Sequence, residues 1–484
     1  MKGKQAKWIN IILLLTGFIF SGCKKYIDLS PKDSTYNQVF WTSGTNAEKA
    51  VAGAYGLFRS SLRQNSSHFI FGDLPTDEFV LGGDFWNYTS IVPSGNHRFS
   101  YTPYLNDDVQ NWSRFYAVIN QCHLIIENTP TIPDNKFGNN SRSKKQLLGE
   151  ALFIRAFSYF YITRIWGDAI LTTESLKDPL NVPQLARSKE ADVLNYCITD
   201  LTKAAPLLGY SGDKALAGKG AAWSLLAHIY AWKHDYASAA KYCDSIINGK
   251  QYALEDISQY LDIWKGNSQE SIFELNMKYD AVNNEATGYF FGSFLHDPMI
   301  KGKEPRSSWQ INADVAFNEL YDTTIDLRSL QVIGNRNTGN PSLMKYAGVN
   351  YHDVNNPNTY VVSNNLVLFR LADIYLLKAE ALYKIGNTVG SQDALNIVKI
   401  RAGLDPTTNT GDDLWDEILE ERRRELIGEG SNAYDFIRMQ KLSDYFSDYT
   451  PDRIAAKGYY WPLDMRTLLP QAPLLTQNEW WKNH

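Results

Sequence analysis

A chain of 484 residues, 44% hydrophobic and 21% charged, has material for one large helical domain or two to three average ones, and that balance excludes wholesale disorder. The formal net charge of -5 excludes the broadly basic surface that a nucleic-acid partner would call for.

The first 22 residues form a targeting segment. Lys2, Lys4 and Lys7 precede an apolar run from Ile11 to Phe20. That run is too short to span a bilayer, which needs roughly 20 residues. Ser21 and Gly22 then lead to Cys23, a pattern that resembles a bacterial lipoprotein box with Phe20 in place of the usual Leu. The resemblance implies that Cys23 is lipidated and becomes the new N-terminus. Residues 23–43, with Pro31 and many polar side chains, read as a tether from lipid to globule. Cys122, Cys197 and Cys243 sit among apolar helical neighbours and are expected as small buried side chains.

Residues 44–250 read as a helical region. The spacing predicts a helix over 45–59, with Thr45 as N-cap and Glu48 completing a capping box. Residues 64–106 are rich in Gly, Asn, Asp, Ser and Pro, and are expected as long irregular loops of functional interest. Helices resume over 109–128 and 144–166. Over 220–247, Trp223, Leu226, Ala227, Tyr230 and Ala239 fall at tetratricopeptide spacing, which predicts helix pairs stacked side by side.

Residues 251–365 break the helical rhythm and form a loop-rich insert within a C-terminal region, 251–484. Beyond it, apolar residues from Leu368 to Tyr383 recur three and four apart, predicting a helix that ends at Gly386. The dense run Glu420, Glu421, Arg422, Arg423, Arg424, Glu425 is expected as a solvated helix face. Pairs four apart, such as Glu420 with Arg424, would support it.

Catalytic motifs are missing. There is no HExxH and no GxSxG, and His228 and His234 are six apart, off one helix face. The stretch from Gly212 to Gly220 glances at a phosphate loop, but it is one residue too long and lacks the Ser or Thr that holds magnesium. Asp77-Glu78 and Asp107-Asp108 are adjacent in sequence, which seldom supplies the separation across a cleft that glycosidase acids need. No enzyme, cofactor or metal site is expected.

A binding surface fits better. Aromatics make up 13% of the chain, enough for both a large core and ring-stacking platforms. A sugar has an apolar C–H face and a rim of hydroxyls, so its site wants flat rings flanked by polar side chains. Two stretches supply that mixture: Asp84, Phe85, Trp86, Asn87 and Tyr88 in GGDFWNYTS, and Arg306, Trp309 and Gln310 in KEPRSSWQIN. Trp86 and Trp309 lead the set.

The phrases EALFIRAFSYF, LADIYLLKAEAL, IRAGL, ILEERRRELIGEG, YDFIRM and PLLTQN, in that order, resemble the SusD/RagB family. The resemblance implies a mainly α fold, a tetratricopeptide-like helix-pair scaffold with an irregular, loop-rich ligand-binding half. It also implies an outer-membrane lipoprotein, lipid-anchored and surface-exposed. Such a protein captures an oligosaccharide or polysaccharide ligand and passes it to a TonB-dependent, SusC-like transporter. The Asp326-x-Arg328 element is then structural. Peptide import, or a structural lid that never touches substrate, are the rival readings.

Overall fold

The structure is a computed structural model that describes residues 40–82, 88–99, 107–138, 142–176, 178, 182–277, 288–303 and 307–484. Cys23 and the tether up to residue 39 lie outside the described residues.

The first helix, α1 (Gly44–Arg63), is capped by Ser43, whose hydroxyl accepts the Asn46 N–H at 3.3 Å. The cap thus falls two residues before Thr45, because Ser43 is the last residue with extended backbone. The strand β1 (Phe79–Leu81) follows, then α2 (Ser113–Asn128), α3 (Lys144–Trp166), α4 (Glu190–Leu207), α5 (Lys219–Trp232) and α6 (Tyr236–Asn248). Helix α3 is buried all round, the mark of a central element. After β2 (Ser271–Leu275), β3 (Trp309–Ile311) and β4 (Leu366–Arg370), the chain returns to helices: α7 (Leu371–Lys384), α8 (Thr388–Arg401), α9 (Gly411–Leu426), α10 (Asn432–Arg438) and α11 (Pro451–Ala455).

Helices from α3 to α8 pack in sequence order, with α6 meeting α7 across the insert. This is the stacked helix-pair scaffold, and the protein is mostly helical. Cys122, Cys197 and Cys243 are free and buried within it. Among the described residues, no helix is long and apolar enough to cross a membrane.

The helix expected from Leu368 begins only at Leu371. Leu366–Arg370 instead pairs antiparallel with β2, with Leu366 opposite Leu275 and Arg370 opposite Ser271. A short apolar run buried on both faces reads equally well as helix or strand.

The charged run on α9 departs most from expectation. Glu421, Arg422, Arg423 and Glu425 are all buried. Each meets partners distant in sequence. Arg422 reaches Asp373 at 2.9 Å and Asp435 at 2.7 Å, while Arg423 reaches Glu78 and Asp77, each at 2.7 Å. Arg328, itself fixed by Asp326, spans Glu421 at 2.6 Å and Glu425 at 2.8 Å. Glu425 also takes Arg370 at 2.5 Å and Arg401. Within the helix the pairs are three apart, Arg423 with Glu420 and Arg424 with Glu421, and not Glu420 with Arg424. A charge leaves water only where partners and hydrogen bonds replace its hydration, and here nearly every one is matched.

Candidate ligand-binding site

Strands β1 and β3 form a two-stranded antiparallel ribbon, with Phe79 opposite Ile311, Val80 opposite Gln310 and Leu81 opposite Trp309. The Gly82 N–H donates to the Ser308 carbonyl at 2.6 Å, which closes the ribbon at its far end. The chain therefore leaves toward residues 83–87 and arrives from 304–306 at the same point. The two stretches singled out by composition, 220 residues apart in sequence, share one base.

Strand alternation decides which ribbon residues face out. Phe79, Trp309 and Ile311 point into the core, and Val80 and Gln310 point away. Trp309 is only 1% exposed. Its ring meets Phe294 edge-on at 5.3 Å and Phe69 at 5.9 Å, in a cluster that includes Phe290, Phe291 and Tyr346. It therefore offers no face to a ligand, contrary to the expectation of a stacking platform. The apolar-polar-apolar order of Trp309-Gln310-Ile311 was the signal for this burial. Trp309→Ala is expected to lower unfolding free energy by about 3–4 kcal/mol in urea titration, as for other large-to-small core changes.

Tyr88 is likewise buried at the start of a turn, its carbonyl accepting the Ile91 N–H at 2.9 Å. Gln310 is half-buried on the outer face, and its side-chain amide donates to the Gly339 carbonyl at 2.8 Å. Asp84, Phe85, Trp86, Asn87 and Arg306 lie outside the described residues.

The ribbon is anchored from below by groups that composition alone did not mark. Asn312 donates its backbone N–H to the Glu78 carbonyl at 2.8 Å and its side-chain amide to the Asp77 carbonyl at 2.9 Å. The Asp77 and Glu78 carboxylates in turn clamp Arg423 of α9. Burial, reinforced by the Glu78 charge, pushes the Asp77 carboxyl up to about 7 despite Arg423. These two acids tie the ribbon to the charged interior.

Residues 212–481 match the family model described as the SusD family, and residues 26–231 match one described as starch-binding associating with outer membrane. SusD-like protein P38 of Formosa agariphila is 26% identical, over 97% of this chain and 98% of its own. A SusD-like protein of Bacteroides ovatus is also 26% identical, over 90% of this chain and 84% of its own. Among solved structures, a SusD superfamily protein from Bacteroides thetaiotaomicron superposes with a TM-score of 0.78 at 27% identity, covering 91% of this chain and 99% of that one. With a family model spanning more than half of its length, and a helix-pair scaffold to match, the chain belongs to the SusD family.

Proposed function

We propose that this protein is a cell-surface lipoprotein, anchored through Cys23, that captures oligosaccharides and delivers them to a TonB-dependent SusC-like transporter. One observation carries the reading: the β1–β3 ribbon of a SusD-family scaffold gives two aromatic and polar stretches a common base. In this reading Trp86 and Phe85 stack on sugar faces, while Asp84, Asn87, Arg306 and Gln310 pair with hydroxyls. Tyr88 and Trp309 support the loops from the core side. The chain acts by binding, without chemical catalysis, and import draws its free energy from the transporter.

Calorimetric titration of the mature chain from Lys24 against plant, host and microbial oligosaccharides, with a mixed peptide pool beside them, tests this. One glycan class is expected to bind. Trp86→Ala should weaken that binding tenfold or more, about the worth of one stacked ring, with no change in melting temperature. Binding to peptides alone would move the protein to peptide import. If no ligand binds while deletion still abolishes uptake, the structural lid stands instead.

A further inference from the structure

Helix ends carry the observation. The turn from α7 to α8 places Gly386 at φ +81 and then Asn387, which caps α8 by accepting the Gly390 N–H at 2.9 Å. Helix α8 ends the same way, on Gly403 at φ +83. Glycine suits this left-handed position because a Cβ there meets the backbone.

The turn from α5 to α6 has the same geometry with a different residue. His234 takes the left-handed position at φ +60, and Asp235 caps α6 by accepting the Ser238 N–H at 3.1 Å. Gln440 ends α10 at φ +59, and Lys457 ends α11 at φ +53. Lys250, after α6, shares the conformation but lies elsewhere. His234, Gln440 and Lys457 all line one cleft of about 560 Å³, with their side chains exposed. Three helices thus converge on a single cavity, and each ends on a side chain where the cheaper residue has none. Non-glycine residues held in this region concentrate at sites of function.

The cavity has the chemistry of a binding site. Trp232 and Tyr459, each half-buried, form its aromatic wall together with an edge of the buried Tyr460. Glu190 holds two of those rings, accepting from Trp232 Nε1 and from the Tyr460 hydroxyl, each at 2.7 Å. Tyr459 meets Tyr460 edge-on at 4.8 Å and is itself only partly buried. A second cleft of about 380 Å³ lies alongside and shares Lys457 and Tyr460 with the first. Fixed rings on one side with donors and acceptors on the rim suit a short run of sugar units.

We infer that the first cleft is a second carbohydrate-binding site, built from His234, Gln440, Lys457 and the Trp232–Tyr459–Tyr460 wall, and separate from the β1–β3 loops. The inference rests on the glycan reading above. The probes are maltoheptaose, cellohexaose, xylohexaose and laminarihexaose, titrated into the mature chain.

At least one sugar should bind with two sites per chain. The combined variant H234G/Q440G/K457G should lose one site, or at least tenfold in its affinity, while its melting temperature stays equal or rises. Tyr459→Ala should lose the same site, and Trp86→Ala should keep it. If both cleft variants bind as the wild type does, the three residues are ordinary helix caps and the inference falls alone. A glycine variant that melts lower, beside a Tyr459→Ala variant that binds normally, overturns it equally. If the wild type binds none of the four sugars, the glycan reading and this inference fall together.

Discussion

Glu425→Gln is expected to lower unfolding free energy by roughly 5 kcal/mol, the upper part of the range for breaking a buried ion pair. The carboxylate is fully buried, and it meets Arg328 at 2.8 Å, Arg370 at 2.5 Å and Arg401. The Tyr260 hydroxyl also donates to it at 3.1 Å. Burial by itself would raise this carboxyl, but Arg401, Arg370 and Arg328 together hold it well below the usual carboxylate range. Glutamine keeps the volume and removes the charge, leaving three guanidinium groups short of a shared partner in a medium that cannot hydrate them. Glu420→Gln on the same helix is the control. Its carboxylate is 24% exposed and shared by Arg423 and Tyr445, so a change of about 1 kcal/mol is expected. Urea unfolding of both variants measures the difference. Equal midpoints would show that the buried charges are dispensable.

Acidification from pH 7 to 4 is expected to carry a destabilising contribution from two buried histidines, before Asp373, Glu421 and Glu425 titrate. Burial, with Arg164 adding to it, pushes His68 down to about 3. Both of its ring nitrogens are engaged, with the Tyr161 hydroxyl and the Glu429 carbonyl, each at 2.9 Å. His123 is pushed down to about 4 by burial and by Arg155. The unfolded chain takes up these protons near pH 6.5 and the folded chain refuses them, so stability falls as pH drops below that value. His68 alone accounts for on the order of 3 kcal/mol by pH 4. Asp77→Asn tests the opposing contribution. Asp77, raised to about 7, contributes stability at low pH that is lost as pH rises through 7, so it offsets the histidines. Removing its titration should steepen the acid loss, and His68→Gln should flatten it. Below pH 4 a second loss sets in, as Asp373, Glu421 and Glu425, all held low in the folded state, take up protons. Urea midpoints at pH 7, 5.5 and 4 follow the first stage, and midpoints between pH 4 and about 2 follow the second. A His68→Gln variant whose midpoint falls with pH as steeply as the wild type's would contradict the buried, neutral state of His68.

The helical scaffold was legible because its signals are local. Periodicity over 144–166 and 371–384 and the repeat over 220–247 need no knowledge of distant residues. What failed depends on partners far along the chain. Glu420 to Glu425 looks like a wet helix face, yet Arg423 pairs with Glu78, 345 residues away. Asp326 and Arg328 are structural as expected, but their role toward Glu421 and Glu425 cannot be read from spacing. Trp309 departs from expectation for a related reason. Richness in aromatics marks a region, and the alternation along Trp309-Gln310-Ile311, once paired with β1, sets which ring turns inward.

Helix α9 also bears on how the chain can be divided. The composition break near residue 250 invites cutting it into two autonomous halves. Arg423 holds Asp77 and Glu78 from the first half, while Arg422 and Glu425 hold Asp373, Arg328, Arg370 and Arg401 from the second. A fragment ending at 250 would leave Glu78 buried without its counter-ion, and its complement would leave Arg423 with Glu420 alone. The halves distinguished by composition therefore make one cooperative unit, indivisible at the point where their sequences differ most.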